Sequence, residues 1–247
     1  TPAGVLAPQE IITPWQSTAA GDRWLFEQRL LVMVNQERVA RGIPPLKRNA
    51  HLDAAAYGHA QDMGLRNYFS HRTPEGVGLG DRVLAAGYVN WLFAGENLTA
   101  GFDSPEGALG AWMNSEGHRL NLLNPDFREI GLGYYYDAAD EHNVVLLPIN
   151  VVGGPYYHYW VMDLGKRSDG YPVIINNEVA TTPSSTVNLY LWGEGWATQM
   201  RLSNDPHFSG ASWQPYTPRV QWTLAPGDGV RTVYAEVSNG HETYRSQ

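Results

Sequence analysis

The sequence predicts an α+β layer fold followed by a small all-β sandwich. Helical patterns crowd the stretch from Trp24 to Leu123 and strand patterns follow from Ile130. The order lacks βαβ alternation, which argues against a doubly wound parallel sheet. Near residue 170 the composition shifts to short β-type runs separated by Pro, Gly, Asn and Asp. The expected organisation is an arm over 1–22, an α+β domain over 23–168 and a β-sandwich over 169–247.

The opening "TPAGVLAPQEIITPWQSTAAGD" has no sustained period and reads as an arm or linker. In "DRWLFEQRLLVMVNQERVARG" Asp22 is placed to cap a helix, and Leu30, Val34 and Val39 recur near helical spacing. Gly42, Pro44 and Pro45 close it. The stretch 49–67 repeats the logic, with Leu52, Ala55, Ala56, His59 and Met63 on one stripe. A third helix is expected over 78–86, ended by Gly87. Ser104-Pro105-Glu106 supplies a cap, a proline at the first helical position and a first-turn acid for a fourth. Ser115 is placed to cap a short fifth helix bearing Glu116 and His118, stopped at Asn124-Pro125. "IGLGYYY", "NVVLLPINVV" and "YYHYWVMDLG" read as strands. Beyond 170, Val187, Leu189 and Leu191 alternate with polar neighbours, as do Val233, Ala235 and Val237.

Charge and composition exclude several functions. Lys and Arg number 17 against 25 Asp and Glu, a net charge of -8, and no run of four basic residues occurs. Nucleic acid and anionic membrane are therefore poor partners. The absence of cysteine removes disulfides, thiolate metal sites and a cysteine nucleophile together. No apolar run approaches the ~20 residues of a membrane helix. Nine Trp, 14 Tyr and only 17% charged residues suit an exported protein, and the start at Thr1 suits removal of an export signal.

The chemistry concentrates in a few residues. His71 ends "YFSH", Glu96 sits between Gly95 and Asn97, and Glu116 and His118 share one turn. Singly these read as a loop histidine, a turn acid and a solvated helix face. Together, two imidazoles and one or two carboxylates from three separate positions are what an open zinc site or a general acid–base cluster needs. No HExxH motif is present, so only the fold can bring His71 and His118 together. His59 reads as packed, and His142, His207 and His241 as solvated. GxSxG, SxxK, P-loop and GxGxxG patterns are missing, and Ser115 needs no role beyond capping.

The ordered segments "LLVMVNQERVARGIPPL", "HLDAAAYGHAQDM", "YFSH", "DRVLAAGY", "GENL", "AWMNSEGHRLNLLNPDFREIGLGY" and "YWVMDLG" fall within roughly 24–167. In this order they resemble the CAP superfamily (cysteine-rich secretory, antigen-five and pathogenesis-related proteins), in its cysteine-free bacterial branch of SCP-like extracellular proteins. The resemblance implies an α-β-α sandwich with a wide cleft lined by His71, Glu96 and His118. The family's Gly-His-Arg is matched by Gly117-His118-Arg119. Ser115 stands where eukaryotic members carry a Glu, with Glu116 one position later. Tyr159, not His158, falls at the late-strand histidine position, so Glu116 and His158 stay open as members of the cluster. The tail resembles immunoglobulin-like modules of bacterial extracellular proteins. Trp192, Trp196, Trp213 and Trp222 there read as packing residues before a sugar-stacking face.

Taken together, these features predict a secreted two-domain protein. Its His/Glu cleft is expected to bind a divalent metal, Zn²⁺ on His71 and His118, or a small or lipid-like ligand, with Glu96 ligating or fixing a ring. The β-sandwich then spaces the cleft or adheres to an extracellular protein or cell-wall component. One alternative is a zinc-assisted peptide or ester hydrolase with Glu96 as catalytic base. Another is a structural cell-surface protein in which Glu96 only holds the fold together.

Overall fold

The computed structural model describes residues 20–247. The expected arm over 1–22 lies outside the described residues except at 20–22, which open the first helix. That helix, α1, is Ala20–Ala40, so Asp22 lies within its first turn instead of ahead of it. It buries Leu30, Leu31, Val34, Asn35 and Arg38, and the predicted stripe member Val39 is exposed. Helix α2, Ala50–Leu65, starts at Asn49, whose side chain accepts hydrogen bonds from the amides of His51 and Leu52. Helix α3 is Leu79–Ala85. Helix α4, Pro105–Asn114, begins at the Ser104 cap, and α5 is Glu116–Leu122.

Among the described residues seven strands accompany these helices: β1 Lys47–Arg48, β2 Tyr68–Phe69, β3 Trp91–Ala100, β4 Glu129–Tyr136, β5 Val144–Leu146, β6 Val151–Gly153 and β7 His158–Arg167. The central sheet has the order β1-β4-β7-β3, antiparallel except where β1 meets β4. "NVVLLPINVV" forms a hairpin, β5 and β6, because Pro148 interrupts it. β5 in turn pairs with β2.

Strand alternation on β7 explains the layers. Trp160, Met162 and Leu164 point to one face and pack with Leu30, Val34, Ala108 and Trp112 of α1 and α4. Tyr159 and Val161 point to the other and meet Ala56, Ala60 and Met63 of α2. Gly131 and Gly133 let α2 lie directly on β4. A Cβ at Gly133 would sit 2.3 Å from the Ala56 carbonyl carbon, and one at Gly131 2.1 Å from that of Leu52.

The remainder is β-rich: β8 Val173–Ile175, β9 Thr186–Leu191, β10 Gln199–Ser203, β11 Gln214–Pro215, β12 Arg219–Thr223, β13 Tyr234–Ser238 and β14 Thr243–Ser246. The sheets run β12-β9-β8 and β11-β10-β13-β14. Between them Val187, Leu189, Leu191, Met200, Leu202, Val233, Ala235 and Val237 form one buried cluster. The β-rich region is seated on the helical one. The Trp192 indole donates to the Pro45 carbonyl at 3.0 Å in a buried contact, and Asn35 Nδ2 reaches the Asn177 carbonyl at 3.2 Å. Among the described residues no helix is long and apolar enough to cross a membrane.

Candidate functional site

The residue expected in a turn, Glu96, lies mid-strand on β3, opposite Asp163 of β7. The alternation that buries Leu98 against α2 buries Glu96 on the same face, and it is only 7% exposed. Its Oε1 accepts a hydrogen bond from His71 Nδ1 at 2.7 Å, and its Oε2 pairs with the Arg82 guanidinium. Arg82 projects from α3 and also donates to the carbonyls of His71 (3.0 Å) and Val77 (3.3 Å), so it clamps the loop that carries the histidine. Burial works to raise the Glu96 pKa. The His71 bond and the Arg82 charge overcome it and hold the carboxyl below the usual carboxylate range.

His118 reaches the same place from α5. Asn97, next to Glu96 on β3, donates through Nδ2 to the His118 carbonyl at 2.8 Å. Asn121 Nδ2 donates to Asn97 Oδ1 at 3.1 Å and to the Glu96 carbonyl at 3.3 Å. These bonds fasten α5 to the edge strand. Burial, with a smaller contribution from His71, lowers the His118 pKa, so its imidazole is biased to the neutral form. His71 and His118 both line a cleft of about 790 Å³ whose other walls include Phe69, Leu98, Leu147 and Pro148. The His71 side chain is 60% exposed there.

Other predicted residues lie elsewhere. Glu116 is an exposed first-turn residue of α5. His158 opens β7 and hydrogen-bonds the Tyr134 hydroxyl at 2.8 Å, its ring near those of Tyr134 and Tyr136. His59 is buried as expected, with Nε2 at 2.8 Å from the Ser70 carbonyl, and burial lowers its pKa. Sequence reasoning missed Arg82 and Asp163. Asp163 carried a usable signal, an acid inside the apolar run "YWVMDLG" of a strand covered on both faces.

The metal expectation is corrected here. Among the described residues no group of three or more His, Asp or Glu side chains is arranged to hold a metal ion. The physical reason lies in Glu96, whose two oxygens are taken by His71 and Arg82, with the guanidinium supplying the cation a metal would have supplied. Two imidazoles alone fall short of the three protein ligands of an open zinc site. The Zn²⁺ site on His71 and His118 is therefore withdrawn. With it go the zinc-assisted hydrolase and the leading reading of the cleft as a site built around a divalent metal.

Comparison with known proteins places this architecture. Residues 31–164, more than half of the chain, match the model of the cysteine-rich secretory protein family. The chain is 40% identical over 109 residues to the uncharacterized protein YkwD of Bacillus subtilis (strain 168), covering 44% of this chain and 42% of that protein. It is 34% identical over 137 residues to the uncharacterized membrane protein YlbC of the same strain, covering 53% and 39%. The chain thus spans about two fifths of the length of these relatives. Among solved structures, an extracellular protein with an SCP domain from Bacillus anthracis is similar at 27% identity and a TM-score of 0.48, over 62% of this chain and 45% of that one. A cysteine-rich secretory protein from Staphylococcus aureus is similar at 20% identity and a TM-score of 0.42, over 61% and 42%. By the match over residues 31–164 the chain belongs to the cysteine-rich secretory protein family, CAP, and like its members it is a secreted, extracellular protein.

Proposed function

We propose that this protein is a structural, contact-making component of the cell exterior, in which the Glu96 cluster holds the fold together and takes up neither metal nor small ligand. The observation that carries this reading is the saturation of a buried Glu96 by His71 and Arg82, which ties β3, α3 and the His71 loop together. The reading extends to a CAP domain over 23–168 and an immunoglobulin-like β-sandwich over 169–247. Separate buried clusters on the two sides of residue 168 support that division. Two facing sheets over one apolar cluster support the sandwich. Contacts with an extracellular protein or cell-wall component fall to the exposed surfaces, and the docking of Trp192 on Pro45 supports a fixed presentation of them.

Thermal unfolding of Glu96→Gln tests this. Removing one partner of a buried, hydrogen-bonded charge pair costs about 3–5 kcal/mol. The expected result at pH 7 is a loss of that size, with Zn²⁺ leaving both melting temperatures unchanged. A carboxyl with a depressed folded pKa contributes stability above its unfolded pKa and loses it as pH falls through the folded one. The gap between wild type and variant therefore closes below about pH 4. A melting temperature raised by Zn²⁺ in the wild type alone would overturn the reading, since a ligand that binds only the folded form stabilises it.

A further inference from the structure

Asp163 takes no part in the contacts described above, yet it is fully buried. It lies directly across from Glu96 in the β3–β7 pairing, and its neighbour on β4 is Gly131, which brings no side chain. Among the described residues neither of its carboxyl oxygens meets a hydrogen-bond donor, and the one partner it is placed to engage is the Glu96 carboxylate, which favours the protonated acid. The charged and titratable groups around it are few. β3 contributes Glu96 and α3 contributes Arg82, while His59 of α2 and His71 of the loop after β2 act on Glu96. Arg82 is the only guanidinium among them; its two Nη atoms are committed to Glu96 and to two loop carbonyls, and its buried Nε is bonded neither to Asp163 nor to any other group.

A carboxylate in that position would be unsolvated, without a donor and beside a second carboxylate. Each condition disfavours the charged form, and two buried carboxylates side by side do not both ionise readily. We propose that Asp163 is held as a neutral carboxylic acid beneath the cleft, where it acts as a positioning residue that leaves Glu96 the single anion of the cluster. Arg82 and His71 then converge on Glu96 undivided. Burial, and next the Glu96 charge, push Asp163 well above the ordinary carboxylate range, with Arg82 pulling the other way. This inference deepens the reading of the Glu96 cluster as a fold-holding network and rests on it.

The test compares wild type and Asp163→Asn by thermal unfolding from pH 4 to 9. A group whose folded pKa is raised contributes stability at pH below its unfolded value, near 4, and loses it as pH rises towards the folded one. Asparagine keeps the shape and neutrality without that loss. The variant should melt with the wild type at about pH 4 and a few degrees above it at pH 8. If Asp163 is instead ionised and shares Arg82, the variant melts below the wild type at neutral pH and the proposal fails. The wild type supplies a second readout that needs no variant. With ¹³C-labelled aspartate, an infrared carbonyl stretch of a neutral carboxylic acid at pH 7 is expected, and a spectrum with carboxylate bands alone would overturn the proposal. The Glu96→Gln experiment fails separately, because above about pH 4 that variant is expected to melt below the wild type and Asp163→Asn above it.

Discussion

At the scale of single residues, the molecule places several charges inside and answers each with named partners. Arg38 is the clearest. It is fully buried on α1, and its guanidinium donates to the carbonyls of Pro44 (2.8 Å), Leu122 (2.8 Å), Asn124 (2.9 Å) and Phe127 (3.3 Å). Burial lowers its pKa to about 10, which still leaves it charged at neutral pH. Two of those carbonyls belong to the end of α5 and the turn after it, so Arg38 helps fix the short helix that presents His118. Methionine matches much of the arginine stem and supplies none of the donors. Arg38→Met is expected to leave four carbonyls without their donor and to lower stability by about 3–5 kcal/mol in urea unfolding. Loss of less than about 1 kcal/mol would show that the carbonyls find other partners. None of this was legible in "QERVARG", where nothing local distinguishes Arg38 from Arg41.

At the scale of elements, local signals succeeded where the chemistry of one residue decides the outcome. Asn49 and Ser104 cap helices as their side chains dictate, and Gly87, with φ +92°, follows the end of α3. The stripe Leu52, Ala55, Ala56, His59 and Met63 is wholly buried. Strand β3 was not legible, because Gly95-Glu96-Asn97 carries turn residues in mid-strand, and only the tertiary pairing with β7 overrides that propensity. The cleft histidines and Glu96 were found through ordered segments, but Arg82, which closes the network on Glu96, was not, since an arginine on the short α3 carries no local mark of burial. One element contact makes a sharp prediction. At Gly133 an added methyl group meets backbone of α2, which cannot rotate away as a side chain would. Gly133→Ala should cost about 3 kcal/mol or more, the upper end of overpacking penalties. Gly110 has nothing within 4 Å of an added Cβ, so Gly110→Ala on α4 is the matched control and should be neutral or slightly stabilising. Equal melting temperatures for the two variants would refute the close packing of α2 on β4.

At the scale of the whole molecule, the question is whether the β-rich region swings or stays docked. The Trp192 ring is buried with Ile174 and Tyr190, on the sheet face turned away from the region's own core. Its indole proton goes to Pro45, just past α1. Arg128, from the segment leading into β4, lies over the rings of Tyr171 (4.3 Å) and Trp192 (5.7 Å) and donates to the Gly170 carbonyl at 2.7 Å. Glu178 pairs with Lys47 at 3.3 Å and accepts from the Arg48 amide at 3.4 Å. Apolar burial, a buried hydrogen bond and a cation on two aromatic faces thus act across one junction, enough to couple the regions in unfolding. The wild type should therefore melt in one calorimetric transition. Trp192→Ala removes the central side chain at a cost of about 3–5 kcal/mol. Because the lost contact joins the two regions, most of that cost falls on their coupling, and the single peak should split into two. Two peaks already present in the wild type would mean that the regions unfold independently and that the junction transmits no stability. A single peak shifted downward in the variant would place Trp192 in the stability of one cooperative unit and leave the coupling to Arg128 and Glu178.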